Sequence, residues 1–330
     1  MATINERQML YDSLTTSTWF DVRAGIIDQV FQITPMYDKL VESGRIRSRV
    51  PDGTHFEISI RYDRQDQNTQ WFGRGAKFGR AEKESLTRLF YQTKNLGTSI
   101  VRFWDDDRKN RGDAQIINYV EEIVENTRIS LQDSLATDLW VEDSDPLSIT
   151  ALPTLISTTP TTGSVGGQTR SSNPYLVNQT TDMTSDSVAA LLLDRMRTMY
   201  NDCSLMKFGG RRTPNLIITT QTIYETLEGL AEDLRVFDTN KTQRYSFGMG
   251  DLMYKGAEIF WDPECPAGNM YFLNTDTLEL AYDPSAWFWM NKWKEDADGL
   301  DRTTQVVAVC QLLCTNFLKN GVIFNIGDTP

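Results

Sequence analysis

The longest helical pattern in the chain is GDAQIINYVEEIVENTRISLQDSLATDLWVED, residues 112–143. Its apolar residues recur at intervals of three and four positions, which places them on one face of a helix. The positions of this stripe are Ile116, Val120, Ile123, Val124, Thr127, Leu131, Ser134, Leu135 and Leu139. A helix of this length would extend on the order of 45 Å. The pattern therefore predicts a long structural helix.

The segment before this helix has the pattern of a long β-hairpin. Apolar and polar residues alternate over 56–62, and a second β-rich run covers 86–103. The stretch between them, 64–84, is polar and rich in glycine. Residues 61–111 contain twelve Lys or Arg and seven Asp or Glu, a net charge of +5; since the whole chain carries −12, the rest carries −17. We expect a basic hairpin on an acidic body.

Upstream of the hairpin, residues 1–50 are predicted to form an amino-terminal arm. Ile26, Ile27, Val30 and Phe31 have the spacing of one helical face, and this pattern is interrupted at Pro35. We therefore expect an arm with one helix.

After the long helix the composition changes. Pro146 and Pro153 end the helix, and residues 150–187 are crowded with Thr, Ser and Gly, which predicts a surface loop at a domain junction. Beyond it the pattern becomes α/β. The predicted elements are a helix from Thr184 or Ser185, a strand over 215–219, a helix through Ile223, Leu227 and Leu230, a hairpin over 253–261 that turns at Lys255-Gly256, and a strand over 270–273.

The carboxyl-terminal residues are predicted to be sheet. A long alternating pattern over 303–317 is followed by Asn320-Gly321, a dipeptide typical of tight hairpin turns, and by an apolar run over 322–326. We expect these two runs to pair with each other.

The composition indicates a folded protein and excludes several classes. The chain has 330 residues, about two domains in length, and 40% of them are apolar, too many for a disordered chain. Its net charge of −12 argues against a global affinity for nucleic acid or an anionic membrane. No run supplies the roughly 18 apolar residues of a membrane helix. The cysteines are too few for a disulfide scaffold and are expected to be free thiols: Cys203, Cys265, Cys310 and Cys314.

No motif indicates a catalytic centre, a cofactor or a metal site. His55 is the only histidine, and the four cysteines contain no C-x-x-C pair. The densest carboxylates, at 105–107 and 121–125, are interpreted as charged surface because consecutive side chains point in different directions. The glycine pairs at 73–75 and 248–250 do not continue as nucleotide-binding loops.

The tip of the predicted hairpin combines basic and aromatic side chains. These residues are Trp71, Phe72, Arg74, Lys77, Phe78, Arg80 and Lys83. The composition is compatible with a nucleic-acid finger and also with an arm that clamps a neighbouring subunit. We favour the second interpretation, because a protruding hairpin has no core of its own and the basic tip is attracted to acidic bodies of other copies.

An enzymatic alternative comes from a cluster of tryptophans near the carboxyl terminus. Trp287, Trp289 and Trp293 could form a sugar-stacking platform, with Glu295 or Asp296 as the acid or base of a glycan hydrolase. Packing in a core or an interface is the favoured interpretation of the three tryptophans.

The order of the parts resembles the tailed-bacteriophage major capsid proteins of the Hong Kong 97 type. Local resemblance is clearest in ALPTLI at 151–156, in PNLIIT at 214–219, and in YKGAEI at 254–259, which leads to PAGNMYFLN at 266–274. The resemblance implies an α+β capsid fold. Its parts would be an amino-terminal arm (1–50), an extended loop formed by the β-hairpin (51–111), the spine helix of a peripheral domain (112–150), an axial domain (151–280) and peripheral-domain strands with the carboxyl terminus (281–330).

The resemblance also implies a structural function without turnover and without a cofactor. Such subunits form hexamers and pentamers that tile an icosahedral shell around double-stranded DNA, which they enclose without sequence-specific binding. The implied location is the virion capsid, assembled in the cytoplasm of the bacterial host, with no membrane contact. Expected partners are a portal, a decoration protein and, because the arm begins almost at Met1, a separate scaffolding protein. Encapsulin compartments share this architecture and are the nearest alternative.

Overall fold

The computed structural model describes residues 35–63, 68–79, 81, 84–104, 119–141, 146–184, 187–204, 213–235, 252–295 and 301–327. The α-helices in these ranges are α1 (Pro35–Glu42), α2 (Tyr119–Asp138), α3 (Leu152–Leu155), α4 (Val188–Ser204) and α5 (Gln221–Arg235). The strands are β1 (Ile46–Ser48), β2 (His55–Arg61), β3 (Leu86–Gln92), β4 (Lys94–Arg102), β5 (Ser164–Val165), β6 (Gln168–Thr169), β7 (Gln179–Asp182), β8 (Leu216–Thr219), β9 (Met253–Tyr254), β10 (Ala257–Trp261), β11 (Met270–Leu273), β12 (Leu278–Tyr282), β13 (Trp289–Met290), β14 (Lys294–Glu295), β15 (Arg302–Cys314) and β16 (Gly321–Phe324). Short 3-10 turns lie at Arg170–Ser172, Pro174–Leu176, Thr275–Thr277 and Phe317–Lys319.

The described residues fall into two compact units, each built from separate segments of the chain. The first unit takes its residues from Leu96–Leu135 and Phe288–Ala308. The second takes them from Thr34–Asn95, Ala136–Trp287 and Val309–Pro330. The limits of the five domains expected from the sequence stay a prediction.

The first unit packs α2 on a small β layer. β4, β13 and β14 all pair with β15 in this unit. The buried core consists of Ile100 of β4, Leu131 of α2 and Val306 of β15. Partly buried residues surround it: Leu96, Ile123, Val124, Phe288 and Trp293. Leu131 of the predicted stripe therefore lies in the core of this unit, and Ile123 and Val124 pack against it.

The second unit is organised around a mixed sheet with the strand order β7-β16-β11-β8-β10-β9. β8 lies in parallel with β10 and antiparallel to β11, and all four of its residues are buried. A continuous apolar strand of this kind is typical of a position covered on both faces. Residues of α4 and α5 share the sheet's core, among them Leu192, Met196, Met199, Ile223 and Leu227.

A second β layer of this unit pairs β12 with β15 and with β1. Leu278 lies opposite Cys314 in the antiparallel pair, and Ile46 lies opposite Leu280 in the parallel pair. The guanidinium of Arg49 donates two hydrogen bonds to the carboxylate of Glu279, at 2.5 and 3.0 Å. Because Glu279 is buried, this bidentate pair compensates for the loss of its hydration.

The long helix is confirmed where the structure describes it. Residues 112–118 and 142–143 of the predicted helix lie outside the described residues. α2 ends at Asp138 and a turn follows, in which the N–H groups of Trp140 and Val141 both donate to the carbonyl of Thr137. Leu139, the last residue of the predicted stripe, is nevertheless fully buried beyond the helix end. The periodicity thus identified the buried residues Leu131, Leu135 and Leu139, whereas Ser134 of the predicted stripe is exposed and the helix ends earlier than expected.

Pro35 begins a helix, whereas the sequence suggested that it interrupts one. The proline occupies the first position of α1, where its fixed φ suits the helix and its missing N–H removes no hydrogen bond. Met36 and Leu40 are the buried residues of this short helix. The helix expected upstream of Pro35 lies outside the described residues.

The β-rich run over 86–103 is two strands. β3 ends at Gln92 and β4 begins at Lys94, and each pairs with a different strand, β2 or β15. Between them the backbone N–H and the side-chain hydroxyl of Thr93 both donate to the carbonyl of Thr54. This closure fixes the end of the hairpin and separates the two strands.

The hairpin expected at Asn320-Gly321 is wrong. β16 pairs with β11 and β7, while β15 pairs with β12. The φ of Asn320 is −118°, an extended value that a two-residue hairpin turn does not permit at this position. The Asn320 side chain instead bonds to the backbone N–H of Asn274 at 2.8 Å and to the hydroxyl of Thr277 at 2.9 Å. These distant partners direct the chain into the other sheet.

The Thr/Ser/Gly-rich segment is not the surface loop that was expected. Its described part, 150–184, contains β5, β6, β7, α3 and two 3-10 turns. Arg170 is almost completely buried there and donates hydrogen bonds to the carbonyls of Thr154 and Leu155, at 2.8 and 2.6 Å. Asn178 is buried and bonds to both backbone groups of Ser157. Polar side chains therefore hold this segment together through buried hydrogen bonds. Composition alone does not distinguish such buried polar residues from exposed ones.

Candidate assembly interface

The strands β2 and β3 form a two-stranded hairpin base with one buried face. The register places Phe56 opposite Tyr91 and Ile58 opposite Leu89. All four side chains are buried, while the residues between them face outward. Alternation of this kind is expected when one face of a hairpin is covered and the other is not.

The covering residues come from the same subunit. We call residues 163–175 the seat. The carbonyl of Gly166 accepts a hydrogen bond of 3.0 Å from the N–H of Phe90. The ring of Tyr175 stacks on that of Tyr62 with 5.0 Å between centroids. The base of the hairpin therefore packs on its own chain, which corrects the expectation that the hairpin would need a neighbouring copy to cover it.

Tyr91 links the buried face to the last residue of β15. Its hydroxyl donates to the carbonyl of Cys314 at 3.0 Å. Burial raises the pKa of Tyr91 above its ordinary value, because the phenolate would lose its hydration. The hydroxyl thus remains protonated at neutral pH, and its hydrogen bond ties β3 to β15.

The outward face of the hairpin base carries apolar and charged residues. Leu86 and Phe90 are both exposed. Arg88 forms an ion pair with Glu57 across the strands at 3.2 Å. The sequence pattern does not single out Leu86 and Phe90, because apolar residues occur at both alternating positions of β3 and periodicity alone does not decide which set is buried.

Residues 68–79, which we call the tip, have hydrogen bonds of their own. The N–H of Ala76 donates to the carbonyl of Gly73 at 3.1 Å, which closes a turn. The side chain of Gln70 donates to the carbonyl of Lys77 at 2.7 Å. Asn68 reaches across to both backbone groups of Ala81. The tip is therefore an organised loop that presents its side chains outward.

The tip brings together the predicted aromatic residues. The rings of Phe72 and Phe78 meet edge to face with centroids 5.0 Å apart. Trp71 is fully exposed, at 104% of its reference area, and Phe72 and Phe78 are exposed at 67% and 57%. Arg74 and Lys77 lie in the same loop, whereas Arg80 and Lys83 lie outside the described residues. Three exposed aromatic rings therefore lie on one short loop.

Further exposed apolar residues lie in the first unit. They are Val101, Phe103, Trp104, Trp289 and Met290. Val101 and Phe103 occupy outward positions at the end of β4, where Ile100 is the buried neighbour. Exposed apolar side chains are thus present in both units.

Two of the three tryptophans in the enzymatic alternative pack against residues of their own unit. Trp287 stacks on Tyr282 with 4.5 Å between centroids, within the second unit. Trp293 packs against the core of the first unit, below the guanidinium of Arg102. Glu295 is paired with Arg302 at 2.9 Å, and Asp296 lies outside the described residues. Core packing explains Trp293 and an aromatic stack explains Trp287.

The other candidate residues lie apart from each other. His55 is exposed at the start of β2, and its Nδ1 is 2.9 Å from the hydroxyl of Thr54. The four cysteines are free and buried, as expected. Within the described ranges, no three His, Cys, Asp or Glu side chains are grouped so that they could hold a metal ion. In the same ranges no helix has the length and apolar character needed to cross a membrane.

The described residues combine a mixed-sheet unit, a long helix packed on a β layer, and a two-stranded hairpin. No family model matches the sequence, and no curated protein sequence matches it. Solved structures do match. The capsid of cyanophage A-1(L) is 16% identical with a TM-score of 0.64, over 95% of this chain and 99% of that one. The capsid of the native GTA particle is 10% identical with a TM-score of 0.60, over 92% and 94%. The SrpI encapsulin of Synechococcus elongatus PCC 7942 is 8% identical with a TM-score of 0.57, over 100% and 97%.

These likenesses establish the fold over nearly the whole chain. The protein has the α+β capsid fold of the Hong Kong 97 type, as its sequence predicted.

Proposed function

We propose that this protein is the major capsid subunit of a tailed phage, and that it self-assembles into the hexamers and pentamers of an icosahedral shell. The observation that carries the proposal is the tip: three exposed aromatic rings stand on a hairpin whose base is already covered by its own subunit. Exposed apolar patches of this kind favour association with another protein surface. The likeness to capsid structures supports the proposal, because a capsid is assembled from many subunits.

The tip is proposed to bind the body of a neighbouring copy. The contact residues are Trp71, Phe72, Arg74, Lys77, Phe78, Arg80 and Lys83. The loop region 61–111 carries +5 and the remainder of the chain −17, so that the arm of one copy is attracted to the body of the next. The aromatic rings would then supply the apolar burial that stabilises the contact.

The enclosed molecule is proposed to be double-stranded DNA, held without sequence-specific binding. A strongly acidic shell repels the phosphate backbone, which permits packaging and release. A scaffolding protein, a portal and a decoration protein are the proposed partners, the virion capsid the proposed location, and the host cytoplasm the proposed site of assembly. The subunit is proposed to have no catalytic activity.

The test is electron microscopy of the purified chain, alone and with a scaffold encoded beside it, together with light scattering for mass. Closed shells or six- and five-fold capsomers are expected. A chain that stays monomeric under both conditions would contradict the proposal. Deletion of residues 65–83 should leave folded subunits that do not close into shells.

The role of charge at the tip is tested by a matched pair of variants. Arg74→Glu with Lys77→Glu reverses the charge and should slow assembly, while Arg74→Lys with Lys77→Arg keeps the charge and should assemble normally. Added salt should slow the unmodified protein, because it screens attraction between exposed charges. If both variants assemble equally well, electrostatic attraction does not contribute to the contact between the tip and a neighbouring copy.

An encapsulin-like compartment is the second candidate, favoured by the likeness to the SrpI shell. The contents of the shell distinguish the two functions. Particles isolated from the native source should contain DNA if the protein is a phage capsid subunit. A protein cargo in place of DNA would assign the chain to the compartment class.

A further inference from the structure

Resting on the proposed function, we propose that the seat sets the direction in which the hairpin projects, and that Gly166 and Gln168 are positioning residues for assembly although neither belongs to the tip. Among the described residues, the contacts of the seat with the hairpin lie at its base. Phe78 of the tip precedes Leu89 by eleven residues, a span of at most roughly 40 Å at the extended-chain limit of 3.3–3.6 Å per residue. A tilt at the base therefore displaces the tip by an amount that grows with this span.

Gly166 fits the hairpin so closely that no side chain can replace its hydrogen. A Cβ at this position would lie 2.8 Å from Cβ and 3.0 Å from Cδ2 of Leu89. Leu89 is itself completely buried and stands on the hairpin's covered face. A side chain at position 166 must therefore push β3 away from the seat, because contacts of this length are repulsive.

Polar contacts of Gln168, close to Gly166, also orient the hairpin. The amide nitrogen of Gln168 donates to the hydroxyl of Thr87 at 2.8 Å and to the carbonyl of Arg88 at 3.1 Å. The oxygen of the same amide accepts a hydrogen bond from the hydroxyl of Tyr175, whose ring stacks on Tyr62. Gln168 thus links both strands of the hairpin, through Thr87 directly and through Tyr175, and hydrogen bonds at several angles define a single orientation.

The neighbouring residue, Gly167, provides a matched control. Gly166 and Gly167 both have positive φ, +60° and +78°, so alanine is strained at either position. A Cβ on Gly167, however, would meet nothing within 4 Å. The two alanine variants therefore share the backbone strain and differ in the contact with Leu89.

The experiment measures a distance within the subunit and shell formation separately. Spin labels are placed on Ser59→Cys in β2 and on Thr222→Cys in α5, both exposed positions of the second unit, and labelled chain is diluted with unlabelled chain. The native cysteines are buried, so the labels attach at the introduced ones. Gly166→Ala should shift or broaden the distance distribution and lose closed shells. Gly167→Ala should retain the original distance and form shells.

A second pair of variants covers the case in which Gly166→Ala does not fold. Gln168→Ala removes the hydrogen bonds to the hairpin without adding bulk, and Thr169→Ala changes an exposed neighbour. The distance distribution should broaden in the first variant alone. An unchanged distance in both Gly166→Ala and Gln168→Ala would overturn the inference, as would normal shells from a subunit with a displaced hairpin. If the unmodified chain forms no shells, the proposed function fails, and the distance measurement still decides the role of the seat.

Discussion

The indole nitrogen of Trp140 donates a hydrogen bond of 2.9 Å to the carboxylate of Asp262, and both side chains are buried. The same carboxylate accepts from the N–H of Glu264 at 3.0 Å and from the N–H of Met36 in the first turn of α1. Asp262 thus joins three segments of the second unit that are far apart in sequence. Its carboxylate also accepts a hydrogen bond from an N–H of the first turn of α1, where backbone N–H groups have no partner within the helix.

The first prediction concerns this buried carboxylate. Asp262→Ala should lower the free energy of unfolding by about 3 kcal/mol, because it leaves several buried N–H groups without an acceptor. Trp140→Phe removes one of the donors and should cost roughly 1–2 kcal/mol. Urea denaturation followed by circular dichroism measures both changes. A loss below about 0.5 kcal/mol in Asp262→Ala, the range of ordinary surface substitutions, would contradict the structural role.

The second prediction is the pH dependence of the same residue. Burial raises the pKa of Asp262 above its ordinary 3.8, although the N–H donors oppose the shift. A carboxyl group with a raised pKa binds its proton more tightly in the folded state, so its contribution to stability is greatest below pH 3.8 and falls as the pH rises through the raised pKa. The stability of the unmodified protein relative to Asp262→Asn should therefore decrease between pH 3.8 and the raised pKa, and it should level off at higher pH. A relative stability that rises with pH would contradict the raised pKa.

The third prediction compares Gly321 in β16 with Gly229 in α5. A Cβ at Gly321 would overlap the sulfur of Met199 and lie 3.0 Å from that of Cys203. Gly321→Ala should therefore destabilise the protein by about 2 kcal/mol through overpacking. Gly229 lies in α5 with nothing within 4 Å of its Cβ position, and Gly229→Ala should stabilise by roughly 0.5–1 kcal/mol. Thermal unfolding of the two variants should show shifts of opposite sign.

The fourth prediction separates folding from assembly at the tip. Trp71 is fully exposed, so Trp71→Ser should change the free energy of unfolding by less than about 0.5 kcal/mol. Shell formation, followed by light scattering, should decrease because the apolar patch is lost. Trp71→Phe keeps an aromatic ring and should assemble more nearly like the unmodified protein. A loss of stability in Trp71→Ser would instead assign the side chain to the core of its own subunit.

The fifth prediction concerns the thiols. Burial raises the pKa of Cys310 and of Cys314 to about 12, and it also raises the pKa of Cys203 and Cys265. At pH 8 only about one Cys310 thiol in ten thousand would be ionised, and the thiolate is the reactive form. Ellman's reagent should therefore label none of these cysteines in the folded protein and all four after denaturation. Fast labelling at pH 8 before unfolding would show that a cysteine is accessible.

Local periodicity was sufficient to predict several elements. The stripe that includes Leu131 identified α2, and the alternation from Phe56 identified β2, because each pattern records which side of one segment is buried. The apolar run before Thr219 predicted β8, and Lys255-Gly256 predicted the turn between β9 and β10. The exposed aromatic residues of the tip could be named as well, since they lie within one short stretch of sequence.

Tertiary structure alone decided which of these pieces meet. Asn320-Gly321 has the composition of a turn, but buried partners near Asn274 hold Asn320 extended and send β16 to β11. Gly166 lies in a stretch with the composition of a surface loop, and it is the closeness of Leu89 that gives this glycine its role. A sequence pattern reports the environment of a residue along its own segment. Strand partners, buried hydrogen bonds and the seat of the hairpin depend on residues distant in sequence, whose proximity exists only once the chain has folded.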